Sequence, residues 1–415
     1  MKKAKDVFVA GGLPTFTYIP RENRHLESAL EDYLDQPFKI LSITGPTKSG
    51  KTVLTRKRLP KKDSIWVTGG QFQNMDEFWE QVLNKVNVFN SVTASTTDSD
   101  SVTTGRNLNA GLGTPVVSAG VKSNHQVTNG TSSTNSKTRD YSYSTLAINY
   151  LEEHKIPLVI DDFHYVDQDL QLQIVRILKE LIFEGCPVIF IAIPHRAYDV
   201  IKIEKEMTGR VKQLSVPTWS EEELIEIARK GFKELNLVVV DKMLERLSRE
   251  SHGSPHIMQD FCHSICKINN YREAPTQEQS IPHLADWDSF FKSKASDMGK
   301  VTFQRLAQGP RPRKDRKQRL LKDGNTCDIY KAILLAIAEA GPKSVLDYEE
   351  IRTGLKNVLN EQIPNIREIS RVLDSMTNIA KEELEGEAVL EWNKSEGKLH
   401  LIDPFLSYYL KWGEG

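Results

Sequence analysis

Apolar positions along the 415-residue chain follow two rhythms. Short runs in which nearly every residue is apolar read as strands covered on both faces: FKILSIT (Phe38 to Thr44), SIWVTGG (Ser64 to Gly70), IPLVIDD (Ile156 to Asp162) and PVIFIAI (Pro187 to Ile193). Between them, apolar residues recur every three or four positions, the period of an amphipathic helix. MDEFWEQVLNKVNVF sets Phe78, Trp79, Val82 and Val86 on one face, and TVLTRKRL, TLAINYLEEH and DLQLQIVRILKELIFEG continue the alternation. Strands alternating with helices predict a parallel sheet, so residues 1–217 are expected to form an α/β domain.

From about residue 90 to 144 the pattern lapses into Ser, Thr, Asn and Gly, as in SVTASTTDSDSVTTG and VTNGTSSTNSKT. Such a stretch buries too little apolar surface to order itself and reads as an insertion. It is either a disordered linker or, through LNAGLGTPVVSAGVKS, a hairpin that contacts another subunit or a partner. Beyond residue 217 the helical period takes over. SEEELIEIARKGFKEL, DKMLERLSRES and SPHIMQDFCHSICKI predict a helical lid over 218–270, and Ser220 with Glu223 forms a capping-box pattern at its start. A polar linker with a basic run is expected over 271–325. In 326–415, DIYKAILLAIAEAG, LDYEEIRTGLKNVL and NIREISRVLDSMTNIA read as three helices, and AVLEWN and KLHLID as strands around the turn KSEG. Three helices followed by a hairpin are the winged-helix pattern.

Composition changes this picture little. The chain is 39% hydrophobic, with 55 Lys plus Arg against 56 Asp plus Glu, which excludes a global electrostatic pull toward nucleic acid or acidic lipid. No apolar run is long enough for a membrane span and no signal-peptide core precedes the first strand, so a cytoplasmic location is expected. The four cysteines are too few for a disulfide scaffold. Cys262 and Cys266 lie four apart near His256 and His263; lacking a CxxC pair, they read as small core residues of a helix.

The chemistry lies at the strand ends. Gly45-Pro46-Thr47-Lys48-Ser49-Gly50-Lys51-Thr52 matches G-x-x-x-x-G-K-[ST] in full, between a strand and a helix as the mechanism demands. Glycines let the backbone wrap a phosphate chain, the helix N-terminus supplies positive potential, and Lys51 neutralises the β and γ phosphates. Thr52 and Asp161, at the end of the IPLVIDD strand, are the expected Mg²⁺ ligands. Asp162 can polarise an attacking water or only cap the strand; Asp is one methylene shorter than Glu, which predicts slow turnover. The cofactors implied are ATP and Mg²⁺. His195 and Arg196, after PVIFIAI, are candidates to sense the γ phosphate. Arg210 is a candidate finger toward a neighbouring subunit or a solvated arginine. Pro255 and His256, at the start of a lid helix, are candidates to face the nucleotide.

Together these motifs resemble those of the AAA+ and STAND P-loop ATPases over roughly Phe16 to Lys267. LVIDDFHYV looks like the two-aspartate Walker B of NB-ARC-type STAND proteins, Arg196 falls where that group carries its sensor arginine, and Gly253-Ser254-Pro255 looks like its lid motif, whose proline contacts nucleotide in relatives. TYIPR, ending in Arg21, resembles a motif that lies near the adenine. The order ATPase, lid, winged helix is also that of origin-recognition ATPases and of some bacterial ATPases of anti-phage defence and transposition control. The chain departs from the initiators in its long insertion and in lacking an arginine at the lid motif.

The resemblance implies an ATP-binding, slowly hydrolysing switch that oligomerises or changes conformation to control a partner protein, with anti-phage defence as the setting. The alternative is an ATP-dependent DNA-binding protein of the initiator or transposition-regulator kind. Duplex DNA would be met through the winged helix and through RPRKDRKQRLLK (Arg311 to Lys322), with seven basic residues against one acid. In STAND proteins the same fold instead packs on the nucleotide site as a clamp.

Overall fold

The computed structural model describes residues 1–86, 142–192, 209–296, 298–310, 316–382, 384 and 388–413, and the backbone alone of 91–97 and 134–140. A one-turn helix α1 (Ala4–Val7) and α2 (Leu26–Asp35) precede β1 (Ile40–Thr44), the P-loop and α3 (Lys51–Arg58). Then come β2 (Ile65–Thr68) and α4 (Met75–Val86). The two ends of the polar insertion, β3 (Ser91–Thr97) and β4 (Thr134–Asp140), pair antiparallel. The hairpin candidate at 108–123 lies outside the described residues. α5 (Tyr143–His154), β5 (Leu158–Asp161), α6 (Gln168–Phe183), β6 (Val188–Ala192) and β7 (Val211–Ser215) complete the α/β part.

Five strands form one parallel sheet in the order β2-β5-β6-β1-β7. The continuous apolar runs divide by alternation. Ile40, Leu158, Ile160, Val188 and Phe190 pack with α4, α5 and α6 on one face, whereas Leu41, Ile43, Val159, Ile189 and Ile191 pack with α2 and α3 on the other. Register aligns the strand ends: Thr44 faces Ala192 and Ser215, and Thr68 faces Asp161. The P-loop and the two aspartates therefore emerge from one edge of the sheet, the carboxyl edge where open parallel sheets bind ligands.

The segment expected as a lid holds α7 (Glu221–Glu234), α8 (Asp241–Glu250) and α9 (Pro255–Ile268), with the Ser220–Glu223 capping box formed. A two-strand pairing, β8 (Leu237–Val238) with β9 (Gln279–Ser280), follows its edge. The stretch expected as a polar linker contains two further helices, α10 (Trp287–Ala295) and α11 (Lys300–Gln308). Their apolar residues Trp287, Phe290, Phe291, Phe303 and Leu306 are diluted by Lys, Ser and Asp, so the period is weak in sequence although all five are buried.

After the short pair β10 (Arg319–Leu320) and β11 (Thr326–Cys327), the chain runs α12 (Ile329–Glu339), β12 (Val345–Asp347), α13 (Tyr348–Val358), α14 (Ile366–Glu382), β13 (Leu390–Asn393), β14 (Lys398–Leu401) and α15 (Pro404–Trp412). The three strands form an antiparallel sheet ordered β12-β14-β13. One hydrophobic core joins α1, the lid, α10, α11 and this C-terminal part without a break. Cys262 and Cys266 lie fully buried within it. Among the described residues, no helix is long and apolar enough to cross a membrane.

Candidate nucleotide-binding site

Between β1 and α3 the P-loop folds back on itself. Lys48 and Gly50 take positive φ (57° and 94°), which turns the chain. Gly45 lies so close to the strand beside it that a Cβ would stand 2.2 Å from the carbonyl oxygen of Val216. The Lys51 side chain is buried, and its Nζ donates to the carbonyl oxygens of Gly45 (2.7 Å) and Pro46 (2.9 Å). Its ammonium thus sits inside the loop's concavity.

Across the strand edge, the Thr52 hydroxyl donates to Asp161 Oδ1 at 3.3 Å, bringing together a hydroxyl and a carboxylate from positions 109 apart in sequence. Burial, reinforced by the charge of Asp162, pushes the Asp161 carboxyl up to about 6, against the Thr52 hydrogen bond. Burial raises Asp162 as well, opposed by the charge of Lys51. Two adjacent half-buried carboxylates and a hydroxyl form a hard, oxygen-only donor set, which fits Mg²⁺. Asp162 has φ of 55°, and Gly69 of the β2 loop packs on its carbonyl so closely that a Cβ would stand 2.4 Å away.

A cavity of about 300 Å³ opens above the P-loop. Thr47 to Leu54 and Asp162 form part of its lining; Val9, Pro14, Thr17 to Arg21, Leu26, Val216, Trp219, Ile227, Pro255, His256 and Gln259 are among the others. Apolar side chains (Val9, Ile19, Leu26, Val216, Ile227) share the lining with the P-loop, the mix of apolar and polar groups typical of small-molecule sites.

No protein-family model and no curated protein matches the sequence. Among solved structures the chain is similar to the Walker-type ATPase PABY2304 of Pyrococcus abyssi, with 14% identity and a TM-score of 0.51 over 94% of this chain and 97% of that one. The chain has the P-loop ATPase fold. Structures that align at lower scores include the ORC1 protein of Aeropyrum pernix in complex with DNA (14% identity, TM-score 0.46, 98% of this chain and 95% of that one). Another is the STAND protein PH0952 of Pyrococcus horikoshii, which carries a tetratricopeptide repeat sensor (13% identity, TM-score 0.36, 94% of this chain and 42% of that one).

Within this ATPase fold the candidates from sequence separate. Gly45 to Thr52, Asp161 and Asp162 converge on the carboxyl edge, and Pro255 and His256 border the cavity. Burial depresses the basicity of His256, helped by the charge of Lys48. Arg21 borders the cavity too, but its buried guanidinium is committed elsewhere. It pairs with Glu223 (3.0 Å), donates to the carbonyls of Pro217 and Thr218, and stacks on Trp219, so it braces the hinge between sheet and lid. Arg210 is exposed beside Ile40, at the opposite end of the sheet from the P-loop, and cannot serve the chain's own site. His195 and Arg196 lie outside the described residues.

Lys48 turns away from the loop toward the C-terminal part, 3.5 Å from Asp403 and over the Phe405 ring at 3.6 Å. Of the basic run, residues 311–315 lie outside the described residues. Arg316 pairs with Asp328, and buried Arg319 pairs with Glu361 and Glu368. Those two cations hold the fold together and are not free for phosphates, which a count of charges along the sequence does not reveal.

Sequence reasoning pointed to TYIPR but missed the wall built by Val9, Gly11, Gly12 and Pro14 before it, and it missed Trp219 and Gln259. Trp219 Nε1 donates to the Ser49 carbonyl at 2.8 Å, and its own N–H donates to the Gly253 carbonyl, tying P-loop, hinge and lid at one residue. A tryptophan one residue before a capping box is a signal that could have been noticed; nothing local distinguishes Gln259.

Proposed function

We propose that this chain binds ATP with Mg²⁺ and hydrolyses it slowly, as a switch whose nucleotide state is read by the lid and the C-terminal part. The carrying observation is that Lys51, Thr52 and Asp162 line one cavity, with Asp161 held against Thr52. In this reading the P-loop amides and Lys51 hold the phosphates, Thr52 and Asp161 hold the metal, and Asp162 orients water. When bound, Mg²⁺ supplies charge neutralisation at the phosphate oxygens. Asp162, short and fixed in a left-handed turn, supports slow turnover.

The contact of Lys48 with Asp403 and Phe405 favours a regulatory role for the C-terminal part, which we read as a winged helix (326–415) set against the ATPase (1–217) and lid (218–270). A partner protein and self-association complete the proposal, with anti-phage defence as its setting. The second reading, ATP-dependent DNA binding, is favoured by Arg367 and Arg371, which are exposed on α14.

The test is the mass of the protein in solution with ADP, ATP and a slowly hydrolysed analogue, with and without duplex DNA, beside Lys51→Ala. Growth with ATP alone, lost in the variant, supports the switch. Growth only on DNA supports the second reading, and an unchanging monomer that binds no nucleotide rejects both.

A further inference from the structure

Gln259 lies in the second turn of α9, buried, on the border of the cavity. Its Oε1 accepts from the Val9 backbone N–H at 2.8 Å and from the Thr17 hydroxyl at 3.0 Å. A backbone N–H can only donate, so the atom facing Val9 must be the amide oxygen, and the orientation of the group follows from chemistry. The opposite end, Nε2 with its two hydrogens, meets no protein acceptor among the described residues and is not sealed from the cavity. The amide is therefore anchored at its oxygen end, and its donor end is open to whatever fills the cavity.

The anchoring elements sharpen the point. Thr17 is itself buried and also within reach of the Val7 carbonyl, at 3.1 Å, so the oxygen end is gripped by a rigid corner. Val9, Ile19, Ile227 and Pro255 are among the residues that line the same cavity. A fixed donor at the cavity border favours a ligand that presents an acceptor there, and disfavours one that does not by leaving the amide unpaired.

We propose that Gln259 is a base-reading residue of the nucleotide site, its Nε2 donating to a ring nitrogen of a purine. This rests on the ATP-binding reading above and adds to it the polar contact that orients the base. With Oε1 turned to the Val9 N–H and the Thr17 hydroxyl, the end of Gln259 left for a ligand is the donor, so it recognises the acceptor edge of the base.

The test is equilibrium binding by calorimetry, on the full chain at pH 8, of ATP and its 1-deaza, 3-deaza and 7-deaza analogues. Gln259→Glu keeps an acceptor for Val9 and Thr17 and removes the donor; Gln259→Met, checked by thermal unfolding, removes both. The expected result is that one deaza analogue binds the native chain about tenfold more weakly than ATP, while the other two bind like ATP. In both variants ATP binding falls by about tenfold or more and the difference between ATP and that analogue disappears. Three analogues that all match ATP on the native chain would overturn the proposal and leave ATP binding intact, as would variants that keep the difference. A native chain that binds no ATP would overturn both readings.

Discussion

Gly45 and Gly69 show how much of the site depends on single missing side chains. Each lets a backbone approach a carbonyl, of Val216 or of Asp162, closer than any Cβ permits. Alanine at either position should cost about 1–3 kcal/mol, because the obstacle is backbone and cannot rotate away. Gly70, with nothing within 4 Å, should tolerate alanine within about 0.5 kcal/mol. Denaturant titration of the three variants checks this. For the oxygen donors, Asp161→Asn should leave metal-free nucleotide binding nearly unchanged and shrink the gain in affinity that Mg²⁺ confers by about tenfold or more. Titration of nucleotide in Mg²⁺ and in EDTA reads it directly.

Two elements connect the site to the rest of the chain. The hinge from β7 to α7 carries Trp219, whose indole reaches the Ser49 carbonyl while Arg21, Arg24 and Glu223 form an ion-pair cluster beside it. Trp219→Phe keeps the ring and loses the donor. It should lower stability by about 1 kcal/mol, raise amide exchange between 217 and 254, and abolish the part of the tryptophan fluorescence that responds to nucleotide. The second element is α15. Its first turn meets the P-loop through Asp403 and Phe405, and its last turn meets the lid through Lys411 and Trp412, both donating to Glu250 (2.8 and 2.7 Å). Phe405→Ala should speed release of a labelled ADP by about three- to tenfold in stopped flow, since the Lys48 ring contact is lost. An unchanged release rate would count against α15 as a reader of the site.

At the scale of the whole molecule, lid and C-terminal part share one core, so their separation should be acid-sensitive where a buried base lies between them. His252 packs against the Tyr408 ring, near Glu250 and Lys411. Burial lowers its basicity to about 4, against the pull of Glu250 and with the charge of Lys411. The folded protein holds His252 neutral, whereas the unfolded chain takes up a proton below about 6.5. The stability this neutral ring contributes is therefore present above about pH 6.5 and lost as pH falls toward 4. The expected loss is about 1–3 kcal/mol across that window, read as the difference in denaturation midpoints between the native chain and His252→Gln.

What the sequence by itself determined is what short-range physics controls. The P-loop was legible because a strand, a glycine-bearing loop and a helix are contiguous, and the lid's start because Ser220 and Glu223 cap within three residues. Asp161 and Asp162 were legible as the end of a buried run. The strand order, the helices α10, α11 and α15, the commitment of Arg21 to the hinge and the pairing of Arg316 and Arg319 were not. Those depend on partners far along the chain: Gln259 meets Val9 across 250 residues, and Lys48 meets Asp403 across 355. Only tertiary packing decides such meetings. A side chain's local pattern sets which face it shows, and the burial of every other face in the molecule decides what stands opposite.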